Sequence, residues 1–590
     1  MINQDIAKIF SEMSALLEML GAAFKPQAYE RAAVSIENLG DDLAEIYKKG
    51  GVRALEEIPG IGKSMAEMIK EFIKSKHIKE YESLKKEIPV DIENLSKVGG
   101  VGPKGIYKLY KALGVRNLGQ LEKAAKAGKI SQLEGFGEKS QGKILKGIEF
   151  VKSNRGRYVL GFVMPMIREI VARLDKHPHT DRVAVCGSVR RMQETIGDAD
   201  IVITSKKPEI VMEDFVNMPE VGDVIARGNT KSSVRLRNGL EIDLRVVAPE
   251  SFGAAIQYFT GDKNHNIEIR KIAINLGYKL NEYGLFKNAD LRGSKRGLTR
   301  KEVRIAGETE EGIYQALGMD FMSPELRTMS GEIKAARERS LPDLIGYGDL
   351  KGDLQIQTDW TDGENSIEEM AEAAIEVGLQ YIAITDHTKS LAMTGGSDEK
   401  KLEKQMAEID RINKSSKFQA SRFKILKGAE VNIMKDGSLD ISDDVLGKLD
   451  IVGAAVHSLF DLSKSEQTKR VVKAMENSSV DILFHPTGRV INRRPAIELD
   501  MDEIIKTAKK TGTVLEVDAY PDRLDLKDEY VRRAVEAGVK LAIDSDAHSA
   551  GHYRYLEFGI AQARRGWAKK SDVINAWPVE KMLGFLKKRV

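Results

Sequence analysis

One stretch of the chain, from Val185 to Thr204, constrains the fold and the chemistry more than any other. A first apolar run ends at Gly187 and Ser188, and a second run carries Asp198 and Asp200 with one residue between them. Side chains two apart on a strand share a face, so these carboxylates are predicted to lie side by side. Two adjacent carboxylates repel each other, and a divalent cation relieves that repulsion.

The residues around the two carboxylates are typical of a site that binds phosphate. Gly187 and Ser188 precede a predicted helix and offer backbone N–H groups and a hydroxyl to an anion. Arg190 and Arg191 add permanent positive charge. A solvated surface turn would explain any one of these features. The ordered set instead predicts a site for a triphosphate and a divalent metal, Mg²⁺ or Mn²⁺.

Length and composition limit the possible classes of protein. A chain of 590 residues is too long for one core and is predicted to form several domains. No apolar run is long enough to span a bilayer, and the first residues lack a signal-peptide pattern. The single cysteine, Cys186, excludes an internal disulfide and fits a reducing compartment. We therefore expect a soluble, cytoplasmic protein, and expect it to be a monomer.

Three glycine turns, each followed by an amphipathic helix, recur at 55–69, 95–113 and 133–145. Glycine permits positive φ and turns backbone N–H groups outward, where phosphate oxygens can bind. A structural helix connection would explain one copy. Three copies, with a surplus of Lys and Arg over 91–150, favour sequence-independent binding of the DNA backbone. The residues concerned are Gly60, Gly62, Lys63, Gly100, Gly102, Lys104, Gly135 and Gly137.

The carboxyl-terminal part alternates short β-like runs with helices, which predicts a βα barrel. The six runs are 381–385, 425–431, 450–456, 481–484, 514–517 and 541–544. Active sites of such barrels lie at the carboxyl ends of the strands, and histidine with carboxylate suits Zn²⁺ or Mn²⁺. The polar residues at these ends are Asp386, His387, Glu430, His457, His485, Glu516, Asp546 and His548.

Together these motifs resemble the prokaryotic family X DNA polymerases that carry a carboxyl-terminal PHP domain. The resemblance implies a multidomain chain with an all-α helix-hairpin-helix region, an α+β polymerase beta-like nucleotidyltransferase palm with a thumb-like subdomain, and a βα-barrel PHP domain. The implied bounds are 1–90 for a lyase-like helical domain, 91–154 for a fingers-type helix-hairpin-helix domain, 155–255 for the palm, 256–325 for the thumb-like subdomain, 326–347 for a linker, 348–575 for the PHP domain and 576–590 for a tail.

The resemblance also implies roles for residues of the polymerase part. Catalysis and metal binding fall to Asp198, Asp200 and, from the predicted strand 241–247, Asp243. The implied nucleotide-binding residues are Gly187, Ser188, Arg191, Gly197, Tyr258, Phe259, Gly261 and Asn266. The implied DNA contacts outside the hairpins are Arg245 and Arg270. Asp262 stands where many members have serine, and the sequence gives it no role.

Two departures from the family pattern bear on other activities. Met68 occupies the position of the lysine that forms a Schiff base in lyase-active members, and a thioether cannot form an imine. Gln355 and Gln357 replace the His-x-His with which the PHP family opens. A neutral amide oxygen is a weak ligand for zinc or manganese, so the metal centre that they would form with Glu430 and Asp546 is predicted to be damaged.

The other two PHP metal centres implied by the family keep their ligands. One consists of Glu430, His457 and His485, and the other of Asp362, His387 and His548. Metal binding is therefore expected, whereas 3′–5′ exonuclease or phosphoesterase activity is predicted to be impaired.

The leading hypothesis is a DNA-directed DNA polymerase that fills gaps in DNA repair, including base excision repair. Its expected partners are gapped or primer-template DNA and a dNTP, with a monovalent cation also possible in the hairpins. A template-independent transferase is an alternative within the same chemistry. The alternatives from other classes are a PHP-type 3′–5′ exonuclease or AP endonuclease with secondary polymerase activity, and a DNA-binding module without catalysis.

Overall fold

The computed structural model describes residues 2–39, 42–98, 101–153, 156–289 and 301–587. Helices form the amino-terminal region, as predicted, and the apolar face of the first helix lies at the centre of their core, with Ile6, Phe10 and Met13 fully buried. The helices are α1 (Ile2–Met19), α2 (Lys25–Asn38), α3 (Leu43–Glu56), α4 (Lys63–Ser75), α5 (Lys79–Glu87), α6 (Ile92–Leu95), α7 (Pro103–Leu113), α8 (Leu118–Lys126) and α9 (Glu138–Ser153).

A five-stranded sheet forms the palm and carries the predicted carboxylates. Its elements are β1 (Tyr158–Val159), α10 (Leu160–Asp175), β2 (Thr180–Val185), α11 (Gly187–Arg190), β3 (Thr195–Ile196), β4 (Asp198–Ser205), α12 (Pro208–Val216), β5 (Val221–Ala226), β6 (Lys231–Leu236) and β7 (Glu241–Val247). The strand order is β2-β4-β7-β6-β5, with β4 and β7 parallel and the other neighbours antiparallel. β1 and β3 form a separate two-stranded ribbon.

The thumb packs helices against a three-stranded antiparallel sheet of order β10-β9-β8. Its elements are α13 (Phe252–Thr260), α14 (Lys263–Asn275), β8 (Tyr278–Asn281), β9 (Gly284–Ala289), β10 (Lys301–Ala306), α15 (Glu310–Ala316) and α16 (Glu332–Arg337). The segment 326–347, which we expected to be a linker, contains α16 and the fully buried Arg327. Arg327 lies 2.6 Å from Glu310 of α15, so this segment is packed onto the thumb.

The carboxyl-terminal domain is the predicted βα barrel, with seven parallel strands in chain order. Hydrogen bonds between its ends, such as Leu354 N–H to Asp544 Oδ1 at 2.8 Å, bring β11 beside β17. The elements are β11 (Gly352–Ile356), α17 (Ile367–Glu376), β12 (Tyr381–Ile384), α18 (Glu399–Asn413), α19 (Ser416–Ser421), β13 (Lys424–Asn432), α20 (Asp443–Leu446), β14 (Ile451–Ala455), α21 (Lys464–Met475), β15 (Ile482–Leu483), α22 (Met501–Thr511), β16 (Val514–Asp518), α23 (Asp528–Ala537), β17 (Leu541–Asp544), α24 (Leu556–Arg565) and α25 (Val579–Leu586).

The strand that the sequence pattern missed is β11. Its side chains alternate between apolar and polar, and Asp353 and Gln355 are both fully buried. A search for apolar runs passes over such a strand, because its polar side chains face the interior of the barrel. β11 is also the strand that carries the first of the two glutamines at the metal-binding end.

The barrel is held against the palm by a continuous interface. Leu524, Tyr555 and Phe558 of the barrel belong to the apolar core of the palm. In the same interface, Arg489 lies 2.6 Å from Glu194, with only 12% and 20% of the two side chains exposed. A buried ion pair beside a shared apolar core fixes the orientation of two domains. Among the described residues, no helix is long and apolar enough to cross a membrane.

Candidate active sites

The sheet register of the palm brings the three predicted carboxylates together near the starts of two neighbouring inner strands, β4 and β7. Asp200 on β4 lies opposite Asp243 on the parallel strand β7. Asp198 and Asp200 alternate with the buried Ala199 and Ile201, so they share the more exposed face of β4. The strand pairing thus brings Asp243 beside Asp198 and Asp200, which are far from it in the sequence.

The negative charges of the three carboxylates repel one another. Burial, and after it the charges of Asp198 and Asp243, raises the pKa of Asp200 to about 6. A nearby cation would stabilise the ionised form and remove this cost. The donor set, three carboxylates with one of them electrostatically disfavoured, therefore fits a hard divalent cation such as Mg²⁺.

Asp243 differs from Asp200 because cationic and hydroxyl donors already contact it. Lys231 Nζ lies 2.7 Å from Asp243 Oδ2, and Ser233 Oγ donates to Asp243 Oδ1 at 2.5 Å. Burial alone would raise the pKa of Asp243, but the bonds from Lys231 and Ser233 outweigh it and lower that pKa. Both donors come from β6, the strand beside β7, and neither was identified from the sequence because they lie in no recognisable motif.

Gly187 is the backbone position against which Asp200 packs. Its φ is +63°, and a Cβ at this residue would lie 2.8 Å from Asp200 Oδ2. Gly187 opens α11, whose first turn also holds Ser188. Gly197 lies directly before β4, and a Cβ added there would meet no described atom within 4 Å. Glycine at 187 thus leaves the room that the carboxylate occupies.

The two arginines of this stretch have different surroundings. Arg190 binds Glu310 of the thumb through both terminal nitrogens, at 2.9 Å and 2.6 Å, and donates to Thr260 at 2.8 Å. Arg191 donates to the backbone oxygen of Thr260. Burial lowers the pKa of Arg191, and its buried Nε has no hydrogen-bond partner among the described residues. Arg190 therefore joins palm to thumb, whereas Arg191 keeps one guanidinium nitrogen without a hydrogen-bond partner among the described residues.

The end of α13 and the start of α14 hold the predicted nucleotide-selecting residues. Tyr258 and Phe259 lie edge to face, with ring centroids 5.2 Å apart. Arg245 of β7 lies over the ring of Phe259 at 4.4 Å, which links the thumb to the strand of Asp243. Asn266 donates from Nδ2 to Tyr258 O at 2.6 Å, so any contact between this amide and a base pair has to replace that bond.

The remaining thumb positions have structural partners. Asp262 caps α14, because its carboxylate accepts from the backbone N–H groups of Asn264 and His265 at 2.9 Å and 3.0 Å. Gly261, directly before it, has a φ of +63°. Arg270 lies one turn after Asn266 on α14 and donates from Nε to Asn266 O at 3.3 Å. The presence of an aspartate at position 262 is thus explained by its role as the N-cap of α14.

The glycines of the hairpins precede helix starts. Gly62 is the residue before α4 and Gly102 the residue before α7. Gly60 and Gly135 have φ of +82° and +81°, and Gly137 is followed by α9. Lys63 and Lys104 lie in the first turns of their helices. Gly100 lies outside the described residues.

Met68 is part of the helical core. Only 7% of the residue is exposed, and the hydroxyl of Tyr29 donates to its sulfur at 3.6 Å. Lys63 is solvent-exposed, and Lys70 lies 2.7 Å from Glu67 on the surface of α4. The position of the expected lyase lysine is therefore filled by a packed, chemically inert side chain.

The barrel gathers one predicted metal group from three loops. Asp362 Oδ2 lies 3.7 Å from His387 Nε2 and 3.7 Å from His548 Nε2. The ligand atoms of these three residues lie within 4.8 Å of one another. One oxygen of Asp362 is buried without a partner among the described residues. A carboxylate and two imidazoles at this spacing fit one transition-metal ion.

A second group surrounds Glu430. His457 and His485 lie 2.9 Å and 2.8 Å from the same oxygen, Oε1, and His387 Nδ1 lies 3.4 Å from Oε2. Burial lowers the pKa of His457 to about 4 although Glu430 opposes the shift, so its imidazole is neutral at pH 7, the form that binds metal. Asn432 is 2.7 Å from His457 Nδ1 and orients the ring.

Gln355 and Gln357 stand where the family has two metal-binding histidines, and their contacts in this structure are of a different kind. Gln357 donates from Nε2 to Glu430 Oε2 at 2.8 Å. Neither polar atom of Gln355 has a hydrogen-bond partner among the described residues, nor has Asp546 Oδ1, which lies 3.9 Å from His548 Nδ1. An amide donor on Glu430 occupies the oxygen that a metal would need. These residues do not fit the first metal of the PHP family.

Comparisons with known families agree with this domain sequence. Models described as "Helix-hairpin-helix domain" and "SAM-like Helix-hairpin-helix tandem" match residues 1–78 and 92–149. A model described as "DNA polymerase beta thumb" matches residues 255–328, and one described as "PHP domain" matches residues 353–518.

Individual proteins show the same relationships. The chain is 37% identical to DNA polymerase/3′-5′ exonuclease PolX of Bacillus subtilis (strain 168), over 100% of both chains. It is 24% identical to DNA polymerase lambda of Arabidopsis thaliana over 56% of this chain and 62% of that protein. It is 29% identical to a probable phosphatase of Thermoanaerobacter sp. (strain X514), over 38% of this chain and 89% of that protein.

Proposed function

The chain belongs to the family X DNA polymerases that carry a carboxyl-terminal PHP domain, and we propose that it fills short gaps in DNA by template-directed addition of dNTPs. The observation that supports this proposal most is the parallel pairing of β4 with β7, which sets Asp243 opposite Asp200 and on the same face as Asp198. Divalent metals bound there would activate the primer 3′-hydroxyl and stabilise the pyrophosphate leaving group.

The residues around the carboxylates supply positioning. Gly187 leaves space for Asp200, and Arg191 lies within the electrostatic reach of Asp200 and Asp262. We propose that Arg191 holds the triphosphate and that Tyr258 and Phe259 pack against the sugar on the thumb side. Preorganised charge of this kind provides most of the rate in phosphoryl transfer.

The glycine hairpins supply contact with DNA that does not depend on sequence. Gly60 and Gly62, and Gly135 and Gly137, precede helices whose first backbone N–H groups have no helical partner. Such N–H groups suit phosphate oxygens, and we propose gapped DNA as the substrate because each end of a gap presents a backbone to bind. A monovalent cation in the hairpins, a monomeric state and a cytoplasmic location remain parts of the proposal that rest on the sequence.

The test is gap filling with the Asp243→Ala variant. We expect it to bind gapped DNA like the wild type and to add no nucleotide, because the carboxylate beside the primer hydroxyl is gone. Asp223→Ala is the matched control, since it removes an exposed carboxylate from β5 of the same sheet. Unchanged nucleotide addition by Asp243→Ala would refute the assignment, and equal addition without a template strand would favour the template-independent transferase.

For the PHP domain we propose metal binding with an impaired 3′–5′ exonuclease. Two groups keep a usable ligand set, whereas Gln355 and Gln357 do not fit the first centre. Zn²⁺ and Mn²⁺ are the candidate ions for the surviving groups. The measurement is digestion of single-stranded 3′ ends in Mn²⁺, with His457→Ala in parallel. Robust digestion that the variant loses would contradict the impairment.

A further inference from the structure

Two arginines lie on loops at the metal-binding end of the barrel. Arg494 ends a tight hairpin after β15, closed by hydrogen bonds between Val490 and Arg494 of 2.8 Å and 2.7 Å. Arg523 lies in the loop after β16, which folds back so that the Asp518 N–H donates to Asp525 O at 2.7 Å. His485 follows β15 and Asp518 ends β16, so both loops leave the strands beside the metal ligands.

Hydrogen bonds tie these two loops to each other. The Ile491 N–H donates to Asp522 O at 2.6 Å. Thr487 donates from its N–H and its hydroxyl to the two carboxylate oxygens of Asp525, both at 2.9 Å. The two arginines are therefore held by one connected rim, and their relative position does not depend on flexible loops.

The guanidinium of Arg494 is fixed by contacts to both histidine loops. It lies over the ring of Phe460 at 4.0 Å, three residues after His457. Its Nε donates to Gly488 O at 2.9 Å, three residues after His485. A stacked and hydrogen-bonded guanidinium loses little further freedom on binding, which suits it to hold a phosphate.

The charge of Arg523 extends into the metal-binding cluster. It interacts with Asp518, Asp546, Asp522 and Glu430. The carboxylates around Arg494 are Asp522 and Asp525, and the positive charge of Arg523 also acts on it. The positive charges of the two guanidinium groups repel each other, and a bound anion relieves that repulsion.

The helix of the third glycine hairpin lies at the same rim. Lys143 of α9 is 3.6 Å from Asp461, the residue after Phe460. Lys146, one turn on, is 3.7 Å from Glu498, four residues after Arg494. The third glycine hairpin thus lies directly beside the rim that carries Arg494 and Arg523. This position indicates that the anion bound by the arginines is the phosphate backbone of a DNA strand.

We propose that Arg494 and Arg523 form a phosphate clamp that seats the last phosphodiester of a single-stranded DNA 3′ end at the metal cluster of the barrel. This inference rests on the proposal that the PHP domain meets DNA, but it does not require that the domain cleaves it. The clamp binds the non-bridging oxygens, while α9 holds the strand upstream.

The test measures binding in the full chain. The background carries Asp198→Asn and Asp200→Asn, which disable the palm site, and the probe is a fluorescent oligothymidylate with a phosphorothioate as its last linkage. The variants are Arg494→Gln, Arg523→Gln and the matched control Arg411→Gln, which removes an exposed charge from α18 on the outside of the barrel. Binding is followed by anisotropy in Mn²⁺ at several salt concentrations.

We expect each clamp variant to weaken binding about tenfold, the loss of one charge-assisted contact. The slope of log affinity against log salt should fall by about 0.7 for each arginine. Arg411→Gln should bind like the background protein, and blocking the free 3′ end in a hairpin duplex should abolish the difference between variants. Unchanged affinity and slope in both clamp variants would overturn the proposal.

Metal content separates a clamp from a purely structural role. If Arg523→Gln loses bound manganese together with DNA binding, and Arg523→Lys restores both because it keeps the positive charge, Arg523 only balances the charge of the carboxylates and the clamp is refuted. Retained metal with weakened DNA binding supports the clamp. Loss of nucleotide addition plays no part in this readout, so failure of the polymerase assignment and failure of the clamp are distinguishable.

Discussion

The substitution Gly187→Ala tests how closely the backbone controls the polymerase site. The residue has a φ of +63°, and an alanine there carries a conformational cost of about 1–2 kcal/mol. Its methyl carbon would lie 2.8 Å from Asp200 Oδ2, well inside the roughly 3.5 Å of ordinary contact, so the carboxylate has to retreat by about 0.7 Å.

That displacement sets the expected loss of activity. A shift of about 1 Å in a catalytic group costs on the order of 10²-fold in rate, which is about 2.7 kcal/mol in the barrier. We therefore expect nucleotide addition to fall by roughly 30- to 100-fold at saturating dNTP. DNA affinity should not change, because Gly187 lies in the palm and not in the hairpins.

The assay is single-turnover insertion into a one-nucleotide gap, with DNA affinity measured separately. Gly277→Ala is the control, because Gly277 has a φ of +78° and no described atom within 4 Å of the added carbon. It should carry the same backbone cost without displacing a carboxylate. A Gly187→Ala rate within about twofold of the wild type, or an equal loss in Gly277→Ala, would refute the steric explanation.

Three further predictions concern stability and metal content. Because the pKa of Asp200 is raised from 3.8 to about 6, its ionisation destabilises the fold as pH rises through that window. Asp200→Asn should therefore abolish activity but stabilise the protein in EDTA at pH 7, by up to about 3 kcal/mol. This gain in stability should disappear below about pH 4, where the wild-type carboxyl is also neutral. The unfolding temperature of the variant across pH measures this, and a gain that persists at low pH would contradict the cause. Glu194→Ala leaves Arg489 buried without its carboxylate and should lower the stability of the palm–barrel interface by about 3–5 kcal/mol. Faster hydrogen exchange at that interface measures this loss, and Glu194→Gln should lose much less stability. Equal exchange in both variants would show that the charge of Glu194 does not matter. Restoring histidine at Gln355 and Gln357 should add one manganese per chain by elemental analysis and raise 3′–5′ digestion; unchanged metal content would show that other residues block the first centre.

The sequence predicted most of the palm site because its pattern is local. Asp198 and Asp200 alternate along one strand, and Gly187 lies only a short segment before them. The parallel pairing that places Asp243 opposite Asp200 is a tertiary fact, and the resemblance to a family was what supplied that residue. Lys231 and Ser233 were missed because β6 has no motif, although both contact Asp243.

The barrel shows a limit of predicting strands from apolar runs. Six strands were predicted from such runs, whereas β11, with buried Asp353 and Gln355, was not. Buried polar side chains look like surface residues in a sequence, and only the closed sheet reveals that they face inward. The structure likewise gives Asp262 a role as a helix cap that the sequence did not suggest.

The sequence indicated the domain types and, through the resemblance to a family, the carboxylates and histidines predicted to bind metal and the absence of the lyase lysine and of the first PHP histidines. These depend on residue identity and on short-range spacing, which a chain carries in any conformation. The tertiary structure alone decided that the barrel is fixed to the palm through Glu194 and Arg489, that Gln357 bonds to Glu430, and that Arg494 and Arg523 share one rim. Each of these relationships joins residues from separate parts of the chain, such as Gln357 after β11 and Glu430 on β13, and its energy exists only once the strands have placed those parts side by side.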